Sequence, residues 1–175
     1  GCSVDCTGLS PESLQGDREI LDFIRRCGGR ITSDERGKIR ASADDLHGIV
    51  ADISQCPDLA PPLAVLLSFC RGESRIIGAG RLRMKESDRL RSITTALNAL
   101  GAKITEGSDH LHILGVEELA GGTVDPHNDH RIAMAGALAS LKSRGTVTVL
   151  DPDCVNKSYP GFWKDFCRAE KEERA

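Results

Sequence analysis

Apolar positions recur along the chain at two periods, and the switches between them mark out the elements. Ile20, Leu21, Phe23 and Ile24 share one face at helical spacing, and Cys27-Gly28-Gly29 closes that run with the residue usual just past a helix end. Arg30-Ile31-Thr32 and Lys38-Ile39-Arg40-Ala41 read as paired strands about the turn Asp34-Glu35-Arg36-Gly37. A short strand at 47–52 follows, then a second apolar helix at 59–70 opened by Pro57-Asp58 and closed by Arg71-Gly72, then a strand at 74–77. The order then begins again. A helix runs from Asp88-Arg89 through Leu90, Ile93, Leu97 and Leu100 to Gly101. A strand at 103–105, a turn at 106–108, a return strand at 111–114 and a short strand at 122–125 come next. Asp129 opens an apolar helix through Ile132, Met134, Ala137, Leu138 and Leu141; Gly145 ends it, and 146–150 is a strand. The chain also opens, at 1–6, on a strand-like run.

The landmarks repeat at nearly constant distance. Asp88 follows Asp17 by 71 residues, Gly101 follows Gly28 by 73, Asp129 follows Asp58 by 71 and Gly145 follows Gly72 by 73. The shared acidic helix openings and glycine exits predict an internal duplication of one supersecondary unit, more than any α/β alternation would show. The two units are placed at about 13–80 and 81–150, with a C-terminal loop and helix at 151–175. Phe162, Trp163 and Phe166 give that helix an apolar face, and 170–175 reads as a solvated tail.

Composition narrows the function classes. The 175 residues suit one medium domain, with 39% hydrophobic and 28% charged residues. A net charge of −3 and 3% aromatics argue against electrostatic capture or base stacking of nucleic acid. No apolar run approaches a membrane span. Seven cysteines without a CxxC pair read as free thiols of a reducing cytoplasm.

Two helix openings have the chemistry of anion sites. Arg81-Leu82-Arg83-Met84-Lys85 alternates basic and apolar, which on a strand would put Arg81, Arg83 and Lys85 on one face. Glu86-Ser87-Asp88-Arg89 then starts a helix, with Ser87 or Asp88 as cap and Arg89 in the first turn. His127-Asn128-Asp129-His130-Arg131 puts another arginine in a first turn. A cation there opposes the positive end of its own helix dipole, so the two arginines point to a shared negative partner. Asp58 reads as a helix N-cap that could also do chemistry, and Lys157 is the one cation of the loop 151–160. His127 and His130 lack further ligands at metal-site spacing, and His110 and His112 share a hairpin face, so no metal site is expected.

These motifs together resemble a known family. Arg83-Met84-Lys85-Glu86-Ser87-Asp88-Arg89-Leu90 is similar to the signature of EPSP synthase, the 3-phosphoshikimate 1-carboxyvinyltransferase family. Asn128-Asp129-His130-Arg131-Ile132-Ala133-Met134 and Lys157-Ser158-Tyr159-Pro160 resemble two more of its motifs, in the right order. Ser13-Leu14-Gln15-Gly16-Asp17 and Pro57-Asp58 resemble others. The resemblance implies an α/β fold in which tandem βαβαββ units form one lobe of an inside-out α/β barrel, with helix N-termini aimed at a cleft between two lobes. It implies transfer of the enolpyruvyl group of phosphoenolpyruvate to the 5-hydroxyl of shikimate 3-phosphate, with release of phosphate. Asp58 would then be the general base toward that hydroxyl, and Glu86 would exchange the proton at the methylene carbon. Lys85 would bind shikimate 3-phosphate, and Arg89, Arg131 and Lys157 phosphoenolpyruvate. Arg81 stands where the family often has an uncharged polar contact and is carried over only weakly. Addition and elimination of this kind need no metal or organic cofactor.

The family enzyme is much longer than this chain, and its N-terminal lobe supplies further phosphate ligands. The expectation is therefore a C-terminal lobe, cut inside a longer enzyme and inactive alone. The rival readings are the lobe of a UDP-N-acetylglucosamine enolpyruvyl transferase, where the run Lys85-Glu86-Ser87-Asp88-Arg89 is not expected, and a non-catalytic anion-binding module of a larger polypeptide.

Overall fold

Three helices pack on one another at the centre of the molecule, and strands lie outside them. The computed structural model describes residues 2–10, 12–35 and 37–173, with the side chains of residues 3–10, 12–35 and 37–169. The strand-like start at Gly1 with the Cys2 side chain, the turn residue Arg36 and the tail side chains from Glu170 onward lie outside the described residues.

The first strand is β1 (Cys2–Cys6) and the first helix is α1 (Ile20–Arg26), entered through a 3-10 turn at Gly16–Glu19. β2 (Arg30–Ser33) and β3 (Ile39–Ala43) form an antiparallel hairpin, and β1 pairs with β3 to give the order β1-β3-β2. β4 (Val50–Asp52) leads through a 3-10 turn at Pro57–Leu59 into α2 (Ala60–Ser68), and β5 (Glu73–Ile77) returns parallel to β4. After a 3-10 turn at Gly80–Met84 come α3 (Arg89–Ala99) and the antiparallel hairpin β6 (Lys103–Glu106) and β7 (Leu111–Leu114). β8 (Gly122–Val124), α4 (His130–Ser140) and β9 (Val147–Val149) form a second parallel β-α-β crossover. A 3-10 turn at Pro152–Lys157 and α5 (Phe162–Glu173) finish the chain. The sheets are β1-β3-β2, β4-β5-β7-β6 and β8-β9.

The pairings state the repeat in hydrogen bonds. Each set contains a helix, an antiparallel hairpin and a parallel crossover, in that order. α1 and α3 also leave alike: Gly28 (φ +99°) and Gly101 (φ +103°) follow their last turns in the left-handed region that glycine enters without strain.

α2 is buried nearly all round, through Ala60, Leu63, Ala64, Val65 and Leu67, as its almost uninterrupted apolar sequence requires. α4 is similar, and Gly136 lets it approach the Val124 and Val149 side chains closely. α2, α3 and α4 pack on one another, while the outward residues of β5 and β6 face solvent. This is an α/β lobe with its helices inside.

Three local expectations are corrected. Residues 81–85 are not a strand: Leu82 is fully buried but Met84 is 83% exposed, so a single apolar anchor imitated an alternating face. Arg83 fixes the turn instead, donating to the carbonyl oxygens of Gly107 and Ser108. The strand expected at 47–52 shrinks to β4, with His47 reaching Arg71 only as an isolated bridge ahead of it, and Gly48 lies so close to Glu73 that a Cβ would stand 2.0 Å from its carbonyl oxygen. The loop expected at 151–160 contains a 3-10 turn, which buries Cys154 and Val155 against Ala133 of α4.

Candidate active site

Three helix openings meet at one buried guanidinium. Asp88 caps α3 by accepting from the Arg91 N–H at 3.2 Å, and Asp129 caps α4 by accepting from the Arg131 N–H at 3.0 Å. Asp58 does not cap α2, contrary to expectation. It lies inside the 3-10 turn before that helix, where its carboxylate is engaged by three cations. Pro57, Pro61 and Pro62 need no donors satisfied there, which frees the side chain.

Arg89 is 1% exposed along its side chain, so its charge must be compensated on the spot. Nε donates to Asp129 Oδ2 at 2.9 Å, Nη1 donates to Asp58 Oδ1 at 2.8 Å, and Nη2 reaches Glu86 Oε2. Arg89 therefore joins the aspartates that open α2 and α4, which lie 71 residues apart in the repeat. Arg131 Nη2 donates to the other oxygen of Asp58 at 2.9 Å, and Lys85 Nζ stands 3.4 Å from Asp58 Oδ1. The shared negative partner inferred for the two arginines is, in this state, Asp58 itself. Burial pushes the Asp58 carboxyl up, but Arg131, Lys85 and Arg89 outweigh it and hold it below its ordinary value.

The structure thus brings Asp58, Lys85, Glu86, Arg89 and Arg131 together. Lys157 stands beside them, donating to the Asn128 carbonyl oxygen at 2.8 Å, next to the Asp129 cap. Arg81 is apart, on the exposed 3-10 turn near Ser54, Gln55 and Asp109. Lys85, Arg131 and Lys157 keep exposed surface and are the cations open to an incoming anion.

Two contributors had escaped the reading of the motifs. Asp129 is fully buried and is the fixed counter-charge of Arg89, and its spacing from Asp58 was the available signal. Ser87 links Asp129 to Ser92 by hydrogen bonds of 3.1 and 3.0 Å, which nothing in the local pattern marks. His127 (φ 48°) and Asn128 (φ 58°) hold the left-handed backbone that turns the Asn128 carbonyl toward Lys157.

Fold and site together define a repeat-built α/β lobe that presents paired carboxylates and arginines at helix openings. Residues 1–166 match the family model described as EPSP synthase (3-phosphoshikimate 1-carboxyvinyltransferase). The chain belongs to this family. It is 47% identical over 166 residues to the 3-phosphoshikimate 1-carboxyvinyltransferase of Clostridium perfringens, covering 95% of this chain and 39% of that protein. The corresponding protein of Clostridium acetobutylicum is 48% identical over 163 residues, covering 93% of this chain and 37% of that protein. A solved EPSP synthase structure from Acinetobacter baumannii superposes with a TM-score of 0.81 at 28% identity, covering 95% of this chain and 41% of that one. The chain spans about two fifths of the length of the curated relatives it matches.

Proposed function

We propose that this chain is one lobe of an enzyme that transfers the enolpyruvyl group of phosphoenolpyruvate to the 5-hydroxyl of shikimate 3-phosphate, releasing phosphate. The observation that carries the reading is the convergence of Asp58, Lys85, Glu86, Arg89 and Arg131 on one point between three helix openings. In this reading the repeat units run over about 13–80 and 81–150, with the C-terminal loop and helix after them.

Asp58 is the general base. With three cations against it, it is a weak base in the resting state. Anionic substrates that take up Lys85 and Arg131 withdraw those charges from Asp58, so its basicity rises as the 5-hydroxyl arrives. Glu86 is ion-paired with Arg89 in the resting state; once Arg89 turns to the substrate carboxylate, Glu86 takes up a proton from solvent, delivers it to the methylene carbon and recovers it when phosphate leaves. Arg89 is too fully engaged to accept a ligand as it stands. It binds the substrate carboxylate by exchange, releasing Glu86 or Asp58 while keeping Asp129. Lys85 takes the shikimate phosphate side, and Arg131 and Lys157 the phosphoenolpyruvate side. Fixed cations then stabilise the tetrahedral intermediate without reorganising. A cytoplasmic enzyme with small-molecule partners, and neither nucleic acid nor membrane, fits this reading; among the described residues no helix is long and apolar enough to cross a membrane.

Phosphate release by the longer polypeptide that carries this lobe tests the reading. Phosphoenolpyruvate would be paired in turn with shikimate 3-phosphate and with UDP-N-acetylglucosamine. Release with shikimate 3-phosphate only is expected. Release with the nucleotide sugar only, or with neither, would overturn the proposal. The 175-residue chain alone is expected to release no measurable phosphate, because half a cleft loses proximity and orientation.

A further inference from the structure

The two aspartates that the repeat sets 71 residues apart end in opposite surroundings. The Asp58 side chain is 32% exposed and faces three cations, whereas Asp129 is fully buried against Arg89. The residues in front of them account for the difference. His127 and Asn128 precede Asp129, and both hold left-handed backbone, at φ 48° and 58°. The Asp129 N–H donates to the Pro126 carbonyl at 2.9 Å, which closes a turn with these two residues at its centre. Asp125 pins the turn by accepting from the His127 N–H at 2.8 Å. Pro57 stands before Asp58, where Asn128 stands before Asp129. Its ring fixes φ at about −65°, so the first copy cannot make a turn of this hand.

The turn also reaches Lys157. The Asn128 carbonyl accepts from the Lys157 ammonium at 2.8 Å. The 3-10 turn that carries Lys157 is anchored on α4 through Cys154 and Val155, while the Lys157 side chain itself is exposed. The bond to Asn128 therefore ties a long, mobile cation to the opening of α4. Asn128 is itself exposed and makes this contact through its backbone. An ammonium has three N–H donors, so one can stay on the carbonyl while two meet an anion.

We propose that Asn128 is a positioning residue whose left-handed backbone holds Lys157 in place for an incoming anion. The inference rests on the reading of Lys157 as a phosphoenolpyruvate ligand. Holding the side chain beforehand removes part of the ordering cost of binding. Asparagine suits the position because it enters the left-handed region more readily than other residues with a Cβ. A β-branched side chain is an outlier there, and the chain relieves it by rotating the Asn128 carbonyl off Lys157.

Two measurements test this, and the first does not depend on turnover. It is the rate at which acetic anhydride labels Lys157 in the 175-residue chain, read by mass spectrometry against Lys103 of β6. An ammonium docked on a carbonyl is less open to acylation than a free one. Labelling should be faster in Asn128→Val. In Asn128→Gly, which keeps the backbone and removes the side chain, it should match the unsubstituted chain. The second is KM for phosphoenolpyruvate in the longer enzyme, with shikimate 3-phosphate saturating. Asn128→Val should raise it about tenfold with kcat within about twofold, and should raise it no further in a Lys157→Ala background. Unchanged labelling in Asn128→Val, faster labelling in Asn128→Gly, or KM effects that multiply in the double variant would overturn the proposal. Asn128→Ala, which is strained less, takes the place of the valine variant if that one does not fold. Labelling as expected in an enzyme that releases no phosphate would uphold the hold on Lys157 and count against the assigned function alone.

Discussion

The sheets β1-β3-β2 and β5-β7-β6 share one pairing pattern and differ in what covers them. In the second, Ser74, Ile76, Ile104, Leu111 and Ile113 are all buried, because α3 lies on β6 and α2 packs against β7 and β5. In the first, α1 lies on β2, yet Ile39 is the one buried residue among the described strand positions, and Val4 is 60% exposed. A cavity of about 440 Å³ lies along α1 and this sheet, edged by Leu14, Leu21, Ile31 and Ile39. The same backbone hydrogen bonds therefore sit in two environments. Pairing follows from strand pattern and turn chemistry, whereas stability follows from the apolar area that a neighbouring helix removes from water.

The largest contrast is expected where charge is buried behind the second sheet. Arg89→Ala leaves Asp129 buried and unpaired, which should cost about 3–5 kcal/mol in denaturant unfolding of the chain. An equal truncation of the exposed Arg30, bonded to Asp44 at 3.3 Å, should change stability by less than about 1 kcal/mol. Next come the cores. Leu111→Ala should cost about 2–5 kcal/mol, and Val4→Ala within about 0.5 kcal/mol, by the same measurement. Equal losses would erase the distinction between the sheets. Smaller still is the difference in local opening: amide hydrogen exchange should be slower in β7 than in β3, since only β7 is roofed. The smallest effect is electrostatic. The folded Asp58 pKa is depressed below its ordinary 3.8, so its stabilisation is present above that pH and is lost as pH falls through the folded value. Asp58→Asn should flatten that part of the acid-unfolding profile, and an unchanged profile would show that its three cations do not act on it.

Legibility in the sequence divides along related lines. The duplicated order was readable because period, acidic openings and glycine exits are local, and Asp17, Asp58, Asp88 and Asp129 kept their spacing. That Asp58, Lys85, Glu86, Arg89 and Arg131 belong to one candidate cluster was readable from their motifs, whereas the parts of Asp129 and Ser87 in it were not. Their wiring was not, because Arg89 reaches Asp58 across 31 positions and Asp129 across 40, which no local pattern reports. The stretch 81–85 misled for a related reason: which of two apolar residues is buried depends on Gly107 and Ser108, a hairpin away. The net charge of −3 does not report the cluster. Asp58, Glu86 and Asp129 balance Lys85, Arg89 and Arg131 within one cluster, so the site contributes nothing to the sum that describes the chain.

The central claim is that Asp58 is the base at a site shared between this lobe and the rest of a longer enzyme. It is tested most directly by the turnover number of Asp58→Ala in that enzyme, with phosphoenolpyruvate and shikimate 3-phosphate both saturating. Loss of a general base should lower kcat by about 10²–10⁴-fold. Turnover surviving within about tenfold would contradict the assignment.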